Sequence, residues 1–316
     1  MPVPPRVGHE VCRRTPGRAG PTLVGDNRGV SALVLSLIAA LSYGVSDFVG
    51  GLAARRTAVL SVLMLSYPVG FAGMLVVAPL AGGRLTTQAL VLGGISGLVS
   101  GLAIIWFYAA LAAGPMSVVS PLTSLLVAGL PLGVGILWGE RPGPLALVGA
   151  AIAVVAVVLV SRQENTPVDE GSPVRFTPKV AWLTAGSGAA FAVYFVLLDK
   201  VDPGSGLWPL VASRATASVL VLVAGVVLGH RSLIKGGPMR LALAAAALDM
   251  AANAAFLYAL RAGMLSIVSV LTSLYPAGTV LLARIVLKER TGWLQRIGLV
   301  LAAAAVALIA GAPATA

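Results

Sequence analysis

Charged residues are scarce in this sequence: they make up 10% of its 316 residues, whereas hydrophobic residues make up 58%. About a quarter of the residues in a typical soluble domain are charged. So few charges cannot cover the surface of a water-soluble globule of this length. The excess apolar surface requires lipid as its solvent, which excludes an ordinary soluble protein.

Cysteine and histidine are rarer still. Cys12 is the only cysteine, so no internal disulfide can form, and His9 and His230 lie in polar segments that suit no buried zinc site. No G-x-x-x-x-G-K-S/T loop for ATP is present, and no cofactor is expected. Histidine is absent from every apolar run, and Asp47 and Asp249 are isolated carboxylates, which argues against an intramembrane enzyme.

Long apolar runs dominate what is present. A spanning helix needs about 20 apolar residues, because about 30 Å of hydrocarbon is crossed at about 1.5 Å per residue. Backbone groups in lipid must pair internally, so each run is expected to be a helix and the fold all-α and transmembrane. The ten runs are 30–52, 59–80, 89–111, 116–138, 144–160, 180–198, 207–228, 241–260, 265–286 and 293–310.

Polar segments divide these runs into two sets of five. Residues 1–28 are rich in Pro, Gly and Arg, lack the apolar core of a signal peptide, and are expected to be a disordered basic tail. Residues 162–179 form a polar linker between a first half, 29–161, and a second half, 180–311. Lys and Arg are divided almost evenly between the two sets of loops once the tail is counted, so the orientation stays open.

The two halves are related in sequence. With Phe107 placed on Phe256, an offset of 149 (256 − 107), FYAALAAGPMSVVSPLTSLLVAG aligns without gaps with FLYALRAGMLSIVSVLTSLYPAG. Matched Ser, Thr and Gly at one fixed offset indicate a duplication. Five spans per half would insert the second half upside down relative to the first. The sequence therefore predicts a ten-helix bundle of two inverted five-helix repeats, which is typical of secondary transporters.

Asp249 is the most central ionisable residue of the apolar runs. A charge at the centre of a spanning helix costs about 3 kcal/mol or more, so it faces a cavity or a partner. Asn253 follows one turn later on the same helix face. A cavity carboxylate here would suit a proton-coupled carrier. The alternative interpretation is an Asp–Asn pair that only joins helices.

Two other in-run charges have open interpretations. Asp47 follows Tyr43 by one turn on a polar stripe of its helix, and it faces inward if that stripe does. Otherwise Asp47 is a helix-end carboxylate paired with Arg55 or Arg56. Arg214 either reaches back to the membrane interface, which is favoured, or neutralises an acid or a substrate carboxylate.

Hydroxyl stripes repeat in the two halves, and they either line a polar path or join helices. Prolines in the same runs are expected to kink them, a pattern found at transporter sites. Tyr194 lies mid-run, where its hydroxyl needs a partner, and Trp106 is a further aromatic candidate. The stripes and prolines are Ser120, Ser124, Ser269, Ser273, Pro121, Pro131 and Pro276. A separate stripe of Gly93, Gly97 and Gly101 predicts a close helix contact.

Several motifs together resemble the EamA-type branch of the drug/metabolite transporter (DMT) superfamily. They are the opening AALSYGVSDFVGG, the stretches ALAAGPMSVVS and ALRAGMLSIVS, and the triplets GER at 139–141 and KER at 288–290. The resemblance covers nearly all of residues 30–311 and implies an inverted-repeat bundle with a central cavity. The Glu-Arg pairs match the family's loop motif and are interpreted as structural.

These observations predict a secondary carrier rather than an enzyme. It would move a small metabolite, amino acid or drug-like solute by alternating access, as an exporter, with proton coupling through Asp249 or Asp47. The alternatives are a passive channel or scramblase, or an intramembrane lipid enzyme. The expected partners are a small-molecule substrate and the lipid bilayer, not nucleic acid, and a homo-oligomer is left open. The expected location is the plasma (inner) membrane.

Overall fold

The computed structural model describes residues 23–54, 56–113, 116–161, 177–230, 234–286 and 292–312. Within them every regular element is helical, which confirms the predicted all-α class. The helices are α1 Leu23–Ala54, α2 Val59–Leu80, α3 Thr87–Ala113, α4 Met116–Leu137, α5 Pro144–Ser161, α6 Pro178–Asp199, α7 Trp208–Val227, α8 Gly237–Ala262, α9 Leu265–Thr272, α10 Tyr275–Val286 and α11 Trp293–Ala310. A single 3₁₀ turn, Pro203–Ser205, joins α6 to α7.

The helices form a multi-pass membrane protein. Among the described residues, six helical segments are long and apolar enough to cross a bilayer, and four shorter apolar segments accompany them. Their total of ten agrees with the ten predicted runs. The long segments are Arg28–Gly50, Val59–Leu80, Thr87–Phe107, Pro178–Asp199, Trp208–Val227 and Gly237–Ala262.

Two helix starts differ from the predicted boundaries. Helix α1 extends back at least to Leu23, the first described residue, which lies inside the predicted tail. Helix α6 begins at Pro178, where the Thr177 hydroxyl accepts a hydrogen bond from Val180 N at 3.3 Å. The predicted tail up to residue 22 and the linker core 162–176 lie outside the described residues.

The ninth predicted run is divided into two helices. Pro276 has no N–H to continue the helical ladder, and a turn at Ser273 and Leu274 separates α9 from α10. In that turn Leu274 N donates to Leu271 O at 3.2 Å, and Ala277 N donates to Leu274 O at 2.9 Å. The kink predicted from Pro276 is therefore a complete break. Helix α4, its counterpart in the first half, runs through Pro131 without a break.

The two halves interlock rather than fold as separate bundles. Helix α1 packs against α8, α9 and α10, while its counterpart α6 packs against α3 and α4. Helix α2 packs against α7 and α8, and α7 in turn packs against α3. Helices α5 and α11 pack against each other. Each of these contacts between halves has its counterpart when the halves are exchanged.

Individual contacts fix the direction of the interlocked helices. Ala32 near the start of α1 lies beside Gly263, just after the end of α8. Ser46 near the end of α1 donates to Ala245 O, near the start of α8, at 2.9 Å. These two contacts make α1 and α8 antiparallel. Helices α3 and α6 are antiparallel as well, since Gln88 Nε2 at the start of α3 donates to the carbonyl oxygen of Lys200 after α6, at 3.2 Å.

The glycine stripe on α3 makes the close helix contact that the sequence predicts, and the structure identifies its partner as α7. A Cβ atom on Gly93 would overlap the backbone of Pro209, and one on Gly97 would overlap the backbone oxygen of Ser213. The Thr216 hydroxyl donates to Gly94 O at 2.8 Å across the same contact. The close approach fixes the face of α7 that carries the next residue, Arg214.

Candidate functional site

A cavity of about 130 Å³ lies between the two halves. Both halves contribute lining residues, and the polar ones lie mainly on α1, α2, α7 and α8. The lining residues are Tyr43, Asp47, Tyr67, Ser100, Ile104, Phe107, Val127, Phe191, Tyr194, Phe195, Ser213, Arg214, Asp249, Asn253, Thr272 and Tyr275. The structure thus brings five of the predicted residues, Tyr43, Asp47, Tyr194, Asp249 and Asn253, to one place.

A hydrogen-bonded network crosses the cavity wall from α7 through α8 to α6. Arg214 Nη2 donates to Asp249 Oδ2 and forms an ion pair with it. Asn253 Nδ2 donates to Asp249 Oδ1 at 3.2 Å and to the backbone oxygen of Asp249 at 2.7 Å. The Tyr194 hydroxyl donates to Asn253 Oδ1. The predicted Asp249–Asn253 contact therefore exists, and both residues also face the cavity.

Arg214 is buried in the site and does not reach the interface, contrary to the interpretation favoured from the sequence. Its side chain is 10% exposed, against 29% for that of Asp249. Its guanidinium carbon lies 5.1 Å from the centre of the Tyr67 ring, within range of a cation–π interaction. The carboxylate and the ring replace part of the hydration that the guanidinium loses. Spacing in the sequence did not reveal that the partner of Arg214 is Asp249, which lies on another helix.

Asp47 lines the cavity, and none of the described residues supplies it with a cation. It is exposed, and it makes no ion pair with the residues that the structure describes. Arg56, one of the two arginines predicted as its partner, is an exposed residue beyond the end of α1, and Arg55 lies outside the described residues. Asp47 is close enough to Asp249 for the two carboxylates to interact electrostatically.

Hydroxyl groups of α9 and α10 meet the cavity beside this network. Thr272 and Tyr275 line it on either side of the helix break. Ser124 of α4 lies behind Tyr275, with 3.1 Å between the two hydroxyl oxygens. Ser124 therefore holds a lining residue and does not line the cavity itself. The Thr272 hydroxyl is buried and has no hydrogen-bond partner among the described residues.

The remaining predicted site residues lie elsewhere. Ser269 donates to Ser266 O at 3.1 Å and Ser273 donates to Val270 O at 2.8 Å, so both hydroxyls are bonded within their own helical segment and neither lines the cavity. Residues 269 and 273 share one helix face, and the face beside it carries Thr272 to the cavity. Trp106 is 38% exposed and lies outside the lining. The side chain of Ser120 lies outside the described part of the chain.

Sequence reasoning missed Tyr67, Ser100 and Ser213. It placed Thr272 beside the hydroxyl stripe and Tyr275 among the aromatic residues near that stripe. The duplication contained a signal for one of the missed residues, since the offset of 149 that relates the halves places Asp249 on Ser100 (249 − 149 = 100). The lining face of α8 thus corresponds to the lining face of α3. Tyr67 and Ser213 share no spacing with the predicted residues, so only the packing of the helices identifies them.

The two sides of the cavity differ chemically. The offset places Asn253 on Ile104 (253 − 149 = 104), so the polar face of α8 corresponds to a more apolar face on α3. The Phe107 and Phe191 rings meet edge to face on this side, with 6.5 Å between their centres. The apolar lining residues are Ile104, Phe107, Val127, Phe191 and Phe195, on α3, α4 and α6. The cavity therefore offers charge on one side and hydrocarbon and rings on the other. No group of three or more described His, Cys, Asp or Glu residues could hold a metal ion.

A second contact between halves lies outside the cavity. Glu140, in the loop after α4, accepts hydrogen bonds from Leu265 N at 2.7 Å and from Ser266 N at 2.9 Å. These are the first backbone N–H groups of α9, which have no partner inside the helix. A carboxylate is favoured at a helix N-terminus, so Glu140 caps a helix of the opposite half. The corresponding segment 287–291, with Glu289, lies outside the described residues.

Replacing Glu140 with alanine is expected to cost about 1–2 kcal/mol, because two N–H groups of α9 lose their acceptor. Glu140→Gln keeps one side-chain oxygen and should retain part of that stability. Thermal unfolding of the purified variants measures both effects. Melting of the alanine variant at the wild-type temperature would show that this contact does not stabilise the pairing of α4 with α9.

Comparison with known proteins finds a family match for part of the chain and a solved structure with a similar fold. Residues 178–311 match the EamA-like transporter family. No curated protein matches the chain. One crystal structure of a protein is similar with a TM-score of 0.62 and 18% sequence identity, over 90% of this chain and 96% of its own. At that identity the similarity extends to the fold alone.

Proposed function

We propose that this chain, which contains an EamA-like transporter domain at residues 178–311, is a secondary carrier of a small metabolite, amino acid or drug-like solute. It works by alternating access, as an exporter in the plasma (inner) membrane, and couples to protons through a cavity carboxylate. One observation carries the proposal: the cavity between the halves contains the ion pair of Arg214 and Asp249. Charges in a membrane interior are costly, and they mark pathways for solutes or ions.

The directions of the helices support inverted repeats. If each helix crosses the membrane once, α3 runs in the same direction as α1. Helix α8, the counterpart of α3, runs antiparallel to α1, as the contact between Ser46 and Ala245 requires. The second half would then be inserted in the opposite sense, and the two halves could rock about a pseudo-two-fold axis.

Contacts between loops support a state that is closed on one side. Arg84 N, before α3, donates to Gly204 O, after α6, at 2.9 Å. Arg261 Nη2 donates to Gly206 O at 2.5 Å. The ammonium of Lys200 lies 3.5 Å from the centre of the Trp138 ring. All of these lie at one end of the bundle, and opening the cavity toward that end would require the loops to separate.

Solute counterflow in liposomes tests the carrier proposal. The full chain is reconstituted, loaded with an unlabelled metabolite or drug-like amine, and exposed to a trace of the same labelled solute, with and without a pH gradient. A carrier accumulates the label transiently and saturates as the outside concentration rises. Flux that grows in proportion to concentration, without counterflow, would instead indicate a channel.

Asp249→Asn is expected to abolish the response of uptake to the pH gradient. Asp249 is the carboxylate that the cavity network holds, so its loss removes a site that can bind and release a proton. Counterflow measured per folded protein, with Asp202→Asn as the control for an exposed loop aspartate, separates coupling from folding. A response equal to that of the wild type would remove Asp249 from the coupling mechanism.

A further inference from the structure

The charged groups that line the cavity do not balance. Among the described lining residues, Asp47 and Asp249 are acids and Arg214 is the one base. Arg214 is already bound to Asp249. Among the described residues no cation is left for Asp47, and a negative charge inside the membrane region is costly unless a cation or a proton accompanies it.

The surroundings of Asp47 suit an ammonium group. Tyr43, Tyr67 and Tyr275 line the same cavity, and the last two lie close enough to Asp47 to interact with it electrostatically. Tyrosine rings attract cations through their faces. Thr272 lies one turn before Tyr275, is fully buried at 0% exposure, and its hydroxyl has no partner among the described residues. A buried hydroxyl without a partner is costly, and an ammonium N–H would satisfy it.

The apolar side of the cavity limits the kind of group that the ligand can carry besides its ammonium. Ile104, Phe107 and Phe191 would contact hydrocarbon or a ring, not a second charged group. The volume of about 130 Å³ limits the apolar part of the ligand to about one ring, since a cavity of roughly 150 Å³ accommodates one benzene molecule. A carboxylate on the ligand would need a free cation, and Arg214 is engaged by Asp249.

We propose that the cavity binds a small primary amine in its cationic form, with the ammonium on Asp47 and Thr272 and a single apolar or aromatic group against Ile104, Phe107 and Phe191. This inference rests on the proposed function, since the same cavity is the one proposed to carry the solute. It narrows the substrate class from solutes in general to monovalent organic cations.

Binding to the purified full chain in detergent, measured by isothermal titration calorimetry, tests the inference without transport. The four probes share a phenyl ring on a short chain: phenethylamine is cationic, 2-phenylethanol neutral, 3-phenylpropanoate anionic and phenylalanine zwitterionic. Phenethylamine is expected to bind at least tenfold more tightly than each of the others. Equal or tighter binding of 3-phenylpropanoate or phenylalanine would overturn the proposal, because it would mean that Arg214 is available to a carboxylate.

Variants locate the site. Asp47→Asn is expected to weaken phenethylamine binding at least tenfold, and Thr272→Val severalfold, while Asp202→Asn removes a loop carboxylate and should leave binding unchanged. Wild-type affinity in a folded Asp47→Asn protein would overturn the proposal. If Asp47→Asn does not fold, the comparison of the four probes on the wild-type protein still decides it.

Counterflow separates this inference from the carrier proposal. Phenethylamine that binds but shows no counterflow would leave the amine site intact and contradict the carrier. Counterflow of another solute, in a protein that does not bind phenethylamine, would leave the carrier intact and contradict the amine site.

Discussion

Replacing Arg214 with glutamine is expected to destabilise the protein by about 3 kcal/mol. The substitution leaves the Asp249 carboxylate in the membrane interior without its cation, and breaking a buried pair from one side typically costs about 3–5 kcal/mol. The lower end applies because the Asp249 side chain is 29% exposed toward the cavity. Thermal unfolding of the purified variant, with Arg84→Gln as the control for an exposed loop arginine, measures the loss.

A second substitution should restore that stability. Arg214→Gln/Asp249→Asn removes both charges and keeps two groups that can form hydrogen bonds with each other. The double variant is expected to melt close to the wild type, although its transport should be lost. If the double variant were as unstable as Arg214→Gln, the destabilisation would not come from an unpaired carboxylate. The loss would then come from the missing ion pair between α7 and α8 itself.

Gly97→Ala is expected to destabilise the protein by about 1–2 kcal/mol net, whereas Gly94→Ala is expected to be neutral or slightly stabilising. Both changes improve helix propensity by about 1 kcal/mol. At Gly94 the added methyl group meets the Thr216 side chain at 3.6 Å, an ordinary contact. At Gly97 it overlaps the backbone oxygen of Ser213, which cannot move unless α7 shifts, and overpacking of this kind typically costs about 1–3 kcal/mol.

The two variants each add one methyl group to the same helix and differ only in its position, so each is the control for the other. Thermal unfolding compares them directly. Phenethylamine affinity should fall in Gly97→Ala as well, because a shift of α7 displaces Ser213 and Arg214 in the cavity wall. Equal melting temperatures would mean that the close packing of α3 on α7 does not limit stability.

The sequence predicts the helices better than their ends. Ten apolar runs appear as ten apolar helical segments because lipid leaves the backbone no other way to pair its polar groups. One exception has a local cause. The ninth run breaks before Pro276 because the missing N–H falls where Ser273 and Leu274 can turn.

The sequence predicts the candidate site mainly at polar side chains, because a polar group inside an apolar run is energetically costly in lipid. Asp47, Asp249 and Asn253 stand out as polar groups in apolar runs, and all three line the cavity. Arg214 stands out for the same reason, but its partner is on another helix and no spacing within one helix reveals it. In the sequence, nothing distinguishes Ser269 and Ser273 from serines that line a cavity. Only helix packing shows that they bond to their own helix.

Reporter tags at three positions test the central claim most directly, namely that each half crosses the membrane five times. The tags are placed at the N-terminus, between residues 162 and 176, and at the C-terminus, and each is probed with a membrane-impermeant reagent on intact cells. The account predicts that both termini lie on one face and the central segment on the other. A central tag on the same face as the N-terminus would contradict five crossings and, with them, the opposed insertion of the two halves.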